Sequence, residues 1–234
     1  MLETVIRVII PAHNEALAIG KVIRDIPSIV HEIIVVDNNS TDKTSEIALA
    51  ANATVLFEPK KGYGYACLKG MNYIENLANE TNIIVFMDGD YSDYPEDLLA
   101  LVKPILEKNI DFVLGSRVNE NCKPGALTPH QRFGNWLATT LMKILFQSRF
   151  TDLGPFRAIK YDILKKLDMR DTTYGWTVEM QLKILRGKWK YEEIPVKYRE
   201  RIGTSKVSGT IKGSIFAGIK ILSWIFKYSF KKCF

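Results

Sequence analysis

Cysteine is scarce and unpaired in this 234-residue sequence: Cys67, Cys122 and Cys233 are odd in number, widely separated and never in CxxC spacing. That argues against a disulfide framework and a structural zinc site, and fits a reducing cytoplasm. Glycine is missing where a dinucleotide enzyme needs it. After the first apolar run the chain reads Pro11-Ala12-His13-Asn14-Glu15, with no glycine until Gly20, so the GxGxxG turn of a Rossmann dehydrogenase is absent. A basic leader with a small-residue cleavage site is absent too, because Met1 to Ile10 already reads as a strand. Charge-free hydrophobic runs of spanning length are lacking: the strongly apolar stretch Ile211 to Phe230 is broken by Lys212, Lys220 and Lys227. The sequence shows no repeat, low-complexity tract or clear linker.

A hydrophobic content of 47% over 234 residues suffices for a full core in one large α/β domain, or in a domain with a C-terminal appendage. The net charge of +6 favours an anionic partner: nucleic acid, a phosphorylated substrate or a membrane surface. Short apolar runs at Val5 to Ile10, Glu32 to Val36, Ala53 to Phe57, Ile83 to Met87 and Asp111 to Leu114 alternate with helical stretches. Those helices are expected at Ala16 to Ile26, Thr41 to Ala51 (capped by Ser40 or Thr41), Tyr65 to Leu77 and Pro95 to Leu106. Such alternation implies a mostly parallel sheet with helices on both faces.

The fourth apolar run ends in two carboxylates one residue apart, Asp88-Gly89-Asp90. Side chains alternate along an extended chain, so both point the same way at the strand's carboxyl end, where open α/β sheets bind ligands. Mg²⁺ is commonly held by one or two carboxylates plus substrate phosphates. The pair therefore suggests a phosphorylated, nucleotide-linked substrate, against the plainer reading of a polar turn. Gly62-Tyr63-Gly64, preceded by Lys60 and Lys61, offers either a close-approach loop for a diphosphate or an ordinary turn.

Three segments in order, Val8 to Glu15, Ile34 to Asp42 and Phe86 to Asp90, resemble the signatures of inverting family 2 glycosyltransferases of the GT-A fold. Further blocks are similar to those of dolichyl- and polyprenyl-phosphate sugar synthases: Gly115-Ser116-Arg117, Thr151 to Arg157, and Arg201 to Lys206. The likeness covers nearly the whole chain. It implies that Pro11, His13, Glu15 and Asp37 hold base and ribose, and that Asp88 and Asp90 hold Mg²⁺ or Mn²⁺ with the diphosphate of a UDP- or GDP-sugar. Those synthases continue the metal motif with Leu-Gln-His, where this chain has Tyr91-Ser92-Asp93, so Ser92 stands in for a glutamine metal ligand.

The acceptor decides what chemistry is needed. A sugar hydroxyl requires a base to remove its proton; Asp152 or Glu179 could serve, but the favoured role for both is to orient arginines through buried ion pairs. A lipid phosphate is already anionic, with a second pKa near ~6, and requires cations. Arg117, Arg132, Arg157, Arg199, Arg201 and Lys206 suit that task. The expected reaction is direct, inverting hexosyl transfer to a polyprenyl or dolichyl phosphate, with a saccharide hydroxyl as the alternative acceptor. A nucleic-acid partner is not expected, because the basic residues concentrate in these blocks and in the tail.

Residues 1–208 are expected to form the catalytic domain and residues 209–234 a basic amphipathic helix. Lys212, Lys220, Lys227 and Lys231 fall on one side of that helix, opposite Ile211, Ile215, Ile219, Leu222, Ile225 and Phe226. Such a helix suits the membrane interface, placing the protein on the cytoplasmic face of a membrane. The alternative is packing against the catalytic domain, another copy of the chain or a membrane-protein partner. Phe133 to Phe146 carries the same two readings, interfacial helix or core.

Overall fold

The computed structural model describes residues 4–77, 80–204 and 211–230, with side chains from residue 216 onward in the last segment. Seven strands form one sheet in the order β3-β2-β1-β4-β6-β5-β7. They are β1 (Ile6–Ala12), β2 (Glu32–Asp37), β3 (Thr54–Phe57), β4 (Ile83–Phe86), β5 (Phe112–Ser116), β6 (Arg157–Lys160) and β7 (Tyr191–Pro195). All neighbouring pairs are parallel except those of β6, which runs antiparallel between β4 and β5. The helices are α1 (Ile19–Asp25), α2 (Thr44–Ala50), α3 (Tyr63–Glu75), α4 (Leu98–Lys108), α5 (Pro129–Phe146), α6 (Tyr161–Leu167), α7 (Trp176–Arg186) and α8 (Ile211–Phe230).

Strand alternation builds two cores. Val8, Ile10, Val35, Val85, Met87 and Val113 pack against α1 and α4 on one face. Ile9, Ile34, Ile84, Phe86, Phe112 and Leu114 pack against α3, α5, α6, α7 and α8 on the other. Both faces of the central strands are buried, which is why they read as continuous apolar runs.

The five expected strands form within one or two residues of their predicted bounds. β1 runs on through Pro11, which a central strand normally forbids. Here the β1–β4 ladder stops at Ile9↔Phe86. The Ile9 carbonyl faces β4, accepting from Met87 N–H, so Pro11, two residues on, faces the same side where pairing has ended. The second helix starts at Thr44, three residues later than expected. Asp37 and Asn14 bind the backbone N–H groups of Ser40 and Thr41, and Asp42 accepts from Thr44 N–H.

On one side of β1 the chain runs to β2 and β3, and on the other to β4. Strand order reverses there, so the carboxyl ends of β1 and β4 flank the crevice where doubly wound sheets bind ligands.

Candidate active site

The turn leaving β1 is stitched to the turn leaving β2. Asn14 has a left-handed backbone (φ 54°); its N–H donates to Ser40 Oγ at 2.9 Å, and Glu15 N–H donates to Thr44 Oγ1 at 2.9 Å. Thr41 N–H donates to Asn14 Oδ1 at 2.7 Å. Asp37, buried at the end of β2, accepts from Ser40 N–H at 2.8 Å and from the Ser45 hydroxyl. Its first task is to hold this turn, and a carboxylate with about four lone-pair directions keeps capacity for a further donor. His13 is half-buried, and its Nδ1 has no hydrogen-bond partner among the described residues.

Beyond β4, Asp90 Oδ1 accepts from the N–H and hydroxyl of Ser92 at 2.9 and 2.5 Å. Ser92 therefore orients Asp90. Asp90 Oδ2 lies 3.2 Å from Arg201 Nη1, while Arg201 Nη2 donates to Glu15 Oε1 at 2.6 Å. One guanidinium thus joins the carboxylates at the ends of β1 and β4. Burial, and then the charge of Asp90, push the Asp88 carboxyl up to about 7, against the pull of Arg117 and Arg201. Asp93 is 1% exposed, and neither of its carboxylate oxygens has a partner among the described residues. Burial, followed by Asp88 and Asp90, drives its carboxyl well above the ordinary range.

This excess of crowded acids over cations fits a divalent ion. Among the described residues no three Asp, Glu, His or Cys side chains form a closed ligand set. Two carboxylates would leave most of a Mg²⁺-type coordination shell to phosphate oxygens and water.

Arg117, just past β5, makes a bidentate pair with Asp152: Nε to Oδ2 and Nη2 to Oδ1, both 2.8 Å, with the Arg117 N–H adding a third bond at 2.8 Å. Its guanidinium carbon lies 5.1 Å from the centre of the Tyr198 ring. The same arginine lines a groove of about 640 Å³ that runs along α5 past Leu127, Arg132, Trp136 and Phe150. Arg132 is exposed, and its Nε donates to the Leu127 carbonyl at 3.4 Å.

Several expectations need correction. Arg157 is fully buried on β6, donating to the carbonyls of Pro155, Thr177 and Gly154; it braces the core and reaches no acceptor phosphate. Burial pulls its guanidinium down to about 10. Glu179 is also fully buried, accepting from Arg170 N–H and Asp171 N–H and pairing with Lys183 Nζ at 2.7 Å. Like Asp152, it is committed to an ion pair and offers no free base.

Gly62 and Gly64 are needed for packing. A Cβ would lie 2.3 Å from the Thr172 carbonyl oxygen at Gly62 and 2.0 Å from that of Asp171 at Gly64. The first turn of α3 is closed by the 171–172 backbone, with Tyr65 N–H donating to the Thr172 carbonyl at 3.0 Å. Lys61 is exposed beside it. Arg201, expected at an acceptor phosphate, is instead paired with Glu15 and Asp90, beyond the ends of β1 and β4. Arg199 is clamped between Tyr91 and Tyr94, 3.4 and 4.0 Å from their ring centres. Lys206 lies outside the described residues. Sequence reasoning missed Asp93, a third acid signalled by the run Asp88-x-Asp90-x-x-Asp93, and Tyr198, which no local pattern marks.

A mostly parallel sheet with paired carboxylates beyond its fourth strand, at a reversal of strand order, defines a GT-A glycosyltransferase. The chain belongs to glycosyl transferase family 2, whose model matches residues 7–168. An uncharacterized glycosyltransferase of Mycobacterium bovis is 33% identical over 222 residues, covering 93% of this chain and 96% of that protein. A dolichyl-phosphate hexose transferase of Haloferax volcanii is 28% identical, over 86% of this chain and 85% of its own. Among solved structures, glucosyl-3-phosphoglycerate synthase from Mycobacterium tuberculosis, in complex with Mn²⁺, UDP and phosphoglyceric acid, superposes with a TM-score of 0.78. That match has 20% identity and covers 98% of this chain and 80% of the synthase.

Proposed function

We propose that this enzyme moves a hexose, with inversion, from a UDP- or GDP-sugar to the phosphate of a polyprenyl or dolichyl lipid at a membrane surface. The groove carries the reading: its apolar walls, Leu127, Trp136 and Phe150, suit a prenyl chain, and its cations, Arg117 and Arg132, suit a phosphate. Arg117 lies against the Tyr198 ring, and Tyr198 bridges to Asp93, three residues past Asp90, which supports a cationic groove end near the acidic segment. The dolichyl-phosphate hexose transferase among the relatives supports the same acceptor.

Asp88 and Asp90 would hold Mg²⁺ or Mn²⁺, which when bound neutralises charge on the departing diphosphate. Arg201 adds positive charge beside them, and Glu15 and Asp37 accept from ribose and base, with Pro11 and His13 lining the turn and Gly89 between the acids. A lipid phosphate attacks as an anion and needs no base. A hydroxyl acceptor needs one, and Asp152 and Glu179 are both engaged.

The division into a catalytic domain over residues 1–208 and a membrane-facing helix beyond is part of this proposal. Among the described residues no helix is long and apolar enough to cross a membrane. α5 exposes Phe133, Trp136 and Ile144, and its neighbour α8 exposes Phe216, Ile219, Phe226 and Phe230, an apolar face suited to the interface of the cytoplasmic leaflet. The opposite face of α8 packs inward through Trp224, Ile225 and Tyr228, which is the packing role, and its outward apolar stripe supports the interfacial one.

The test is a panel of labelled nucleotide sugars with Mg²⁺ or Mn²⁺ and polyprenyl phosphate, scored for organic-extractable product. Turnover with 3-phosphoglycerate or a saccharide, and none with the lipid, would refute the acceptor assignment.

A further inference from the structure

A second cavity, of about 330 Å³, lies between α6, α7 and α8, away from the acidic pair. Cations surround an aromatic floor: Lys166, Arg170, Arg186 and Lys227 around Trp224 and Tyr228. Some of this charge is already answered. Arg170 pairs with Asp168, Lys166 lies 3.6 Å from Asp162, and Lys183, also in the lining, is held by Glu179. Arg186 is different: its Nε and Nη2 are buried and have no hydrogen-bond partner among the described residues. Leaving guanidinium N–H groups dry and unbonded is costly, and a forked donor of this kind matches phosphate oxygens. Lys227 lies 4.7 Å from the centre of the Trp224 ring, at the mouth.

The position of this cavity points to the source of the phosphate. Lys227 is three residues from Phe230 and so on the same side of α8. Phe230 is 85% exposed and continues the apolar stripe of Phe226, Ile219 and Phe216. A soluble anion has no use for that stripe. A bilayer supplies acyl chains to the stripe and headgroup phosphates to the adjoining cations at once.

We propose that this pocket seats the phosphate of an anionic lipid headgroup when α8 rests on a bilayer, a role separate from the acceptor groove. The inference rests on the membrane-surface reading above.

The experiment is co-sedimentation of the full-length protein with vesicles of phosphatidylcholine alone, and of phosphatidylcholine with a third of it replaced by phosphatidylglycerol. Wild type should bind the anionic vesicles more tightly, on the order of tenfold or more for two interfacial cations. Arg186→Gln with Lys227→Gln should lose that preference and keep the weaker binding to neutral vesicles, as should Lys227→Gln alone in smaller measure, since that side chain is exposed and its loss spares the fold. Transfer to a short-chain, water-soluble prenyl phosphate should be unchanged in both variants. Phe226→Ser with Phe230→Ser should weaken binding to both kinds of vesicle.

An anionic preference that survives in the double variant overturns the pocket assignment, as does a wild type that binds both vesicles equally while remaining a membrane protein. Failure of the wild type to bind either vesicle overturns the membrane reading itself. If glycerol phosphate then binds the wild type saturably and the double variant not at all, the pocket belongs to a soluble phosphate and the lipid source is wrong.

Discussion

Arg201 reaches Asp90 across more than a hundred residues of sequence, its Nη1 3.2 Å from Asp90 Oδ2, while its other terminal nitrogen holds Glu15. The segment after β7 is drawn there by backbone bonds: Ile202 N–H donates to the Asp90 carbonyl and Arg199 N–H to that of Ser92, both at 3.0 Å. A positive charge is thus set between the two strand ends that flank the crevice, where a diphosphate would need it. Arg201→Met should raise the KM for the nucleotide sugar on the order of tenfold or more, through loss of a charge-assisted contact, and leave the KM for the lipid acceptor near its original value. Steady-state kinetics with each substrate varied in turn separate the two.

Asp90→Ala should reduce transfer by at least the order of 10²–10³ seen when one electrostatic group is removed from a reacting centre, with an unchanged circular dichroism spectrum. Chelation of divalent ions should reproduce the loss in wild type. Retained turnover with unaltered metal dependence would refute the roles given to Asp88 and Asp90.

Asp152 is fully buried. Burial by itself would raise its pKa, but the charge and hydrogen bonds of Arg117 outweigh it and lower the pKa below the ordinary 3.8. A carboxyl with a depressed folded-state pKa contributes its full stability above the unfolded value and loses it as pH falls toward the folded one. Asp152→Asn should therefore cost about 3–5 kcal/mol at neutral pH, because it strands a buried guanidinium. The gap from wild type should narrow as pH drops below 3.8. Urea unfolding of both proteins at several acidic pH values measures it.

Gly64→Ala should lower the melting temperature and the rate of transfer together. Its new methyl would meet the Asp171 carbonyl oxygen, forcing the start of α3 away from the 171–172 backbone at a cost of roughly 1–3 kcal/mol. Thermal melts and a transfer assay on the same preparation check both effects.

Trp136 is 59% exposed in the wall of the α5 groove. Replacing it by alanine should raise the KM for polyprenyl phosphate on the order of tenfold through lost apolar contact and leave the donor KM and the melting temperature near those of wild type. An unchanged acceptor KM would place the lipid elsewhere.

Much of the fold is legible in the sequence because its parallel strands are buried on both faces and announce themselves as apolar runs. β6 and β7 were not foreseen. β6 carries Arg157 and Lys160, and β7 carries Glu192 and Glu193, so neither has the apolar signature. Each is a strand because β4 and β5 offer open edges for pairing. The candidate site divides in the same way. Asp88, Asp90, Glu15 and Asp37 end or follow strong strands and could be placed from sequence. The tasks of Arg157, Glu179, Gly64 and Ser92 could not, because a side chain in a promising motif serves either ligand or core, and burial and bonding partners decide which.

Local chain chemistry by itself determined where the strands lie, that an acidic pair emerges from the fourth, and that the last helix is basic and amphipathic. These follow from periodicity and residue type over short distances. Only tertiary structure decided that Arg201 joins Glu15 to Asp90, that Asp152 and Glu179 are spent on ion pairs, and that α8 both packs inward and turns an apolar stripe outward. Those outcomes depend on which distant segments share a space of low dielectric, where an unpaired charge is too costly to leave unanswered.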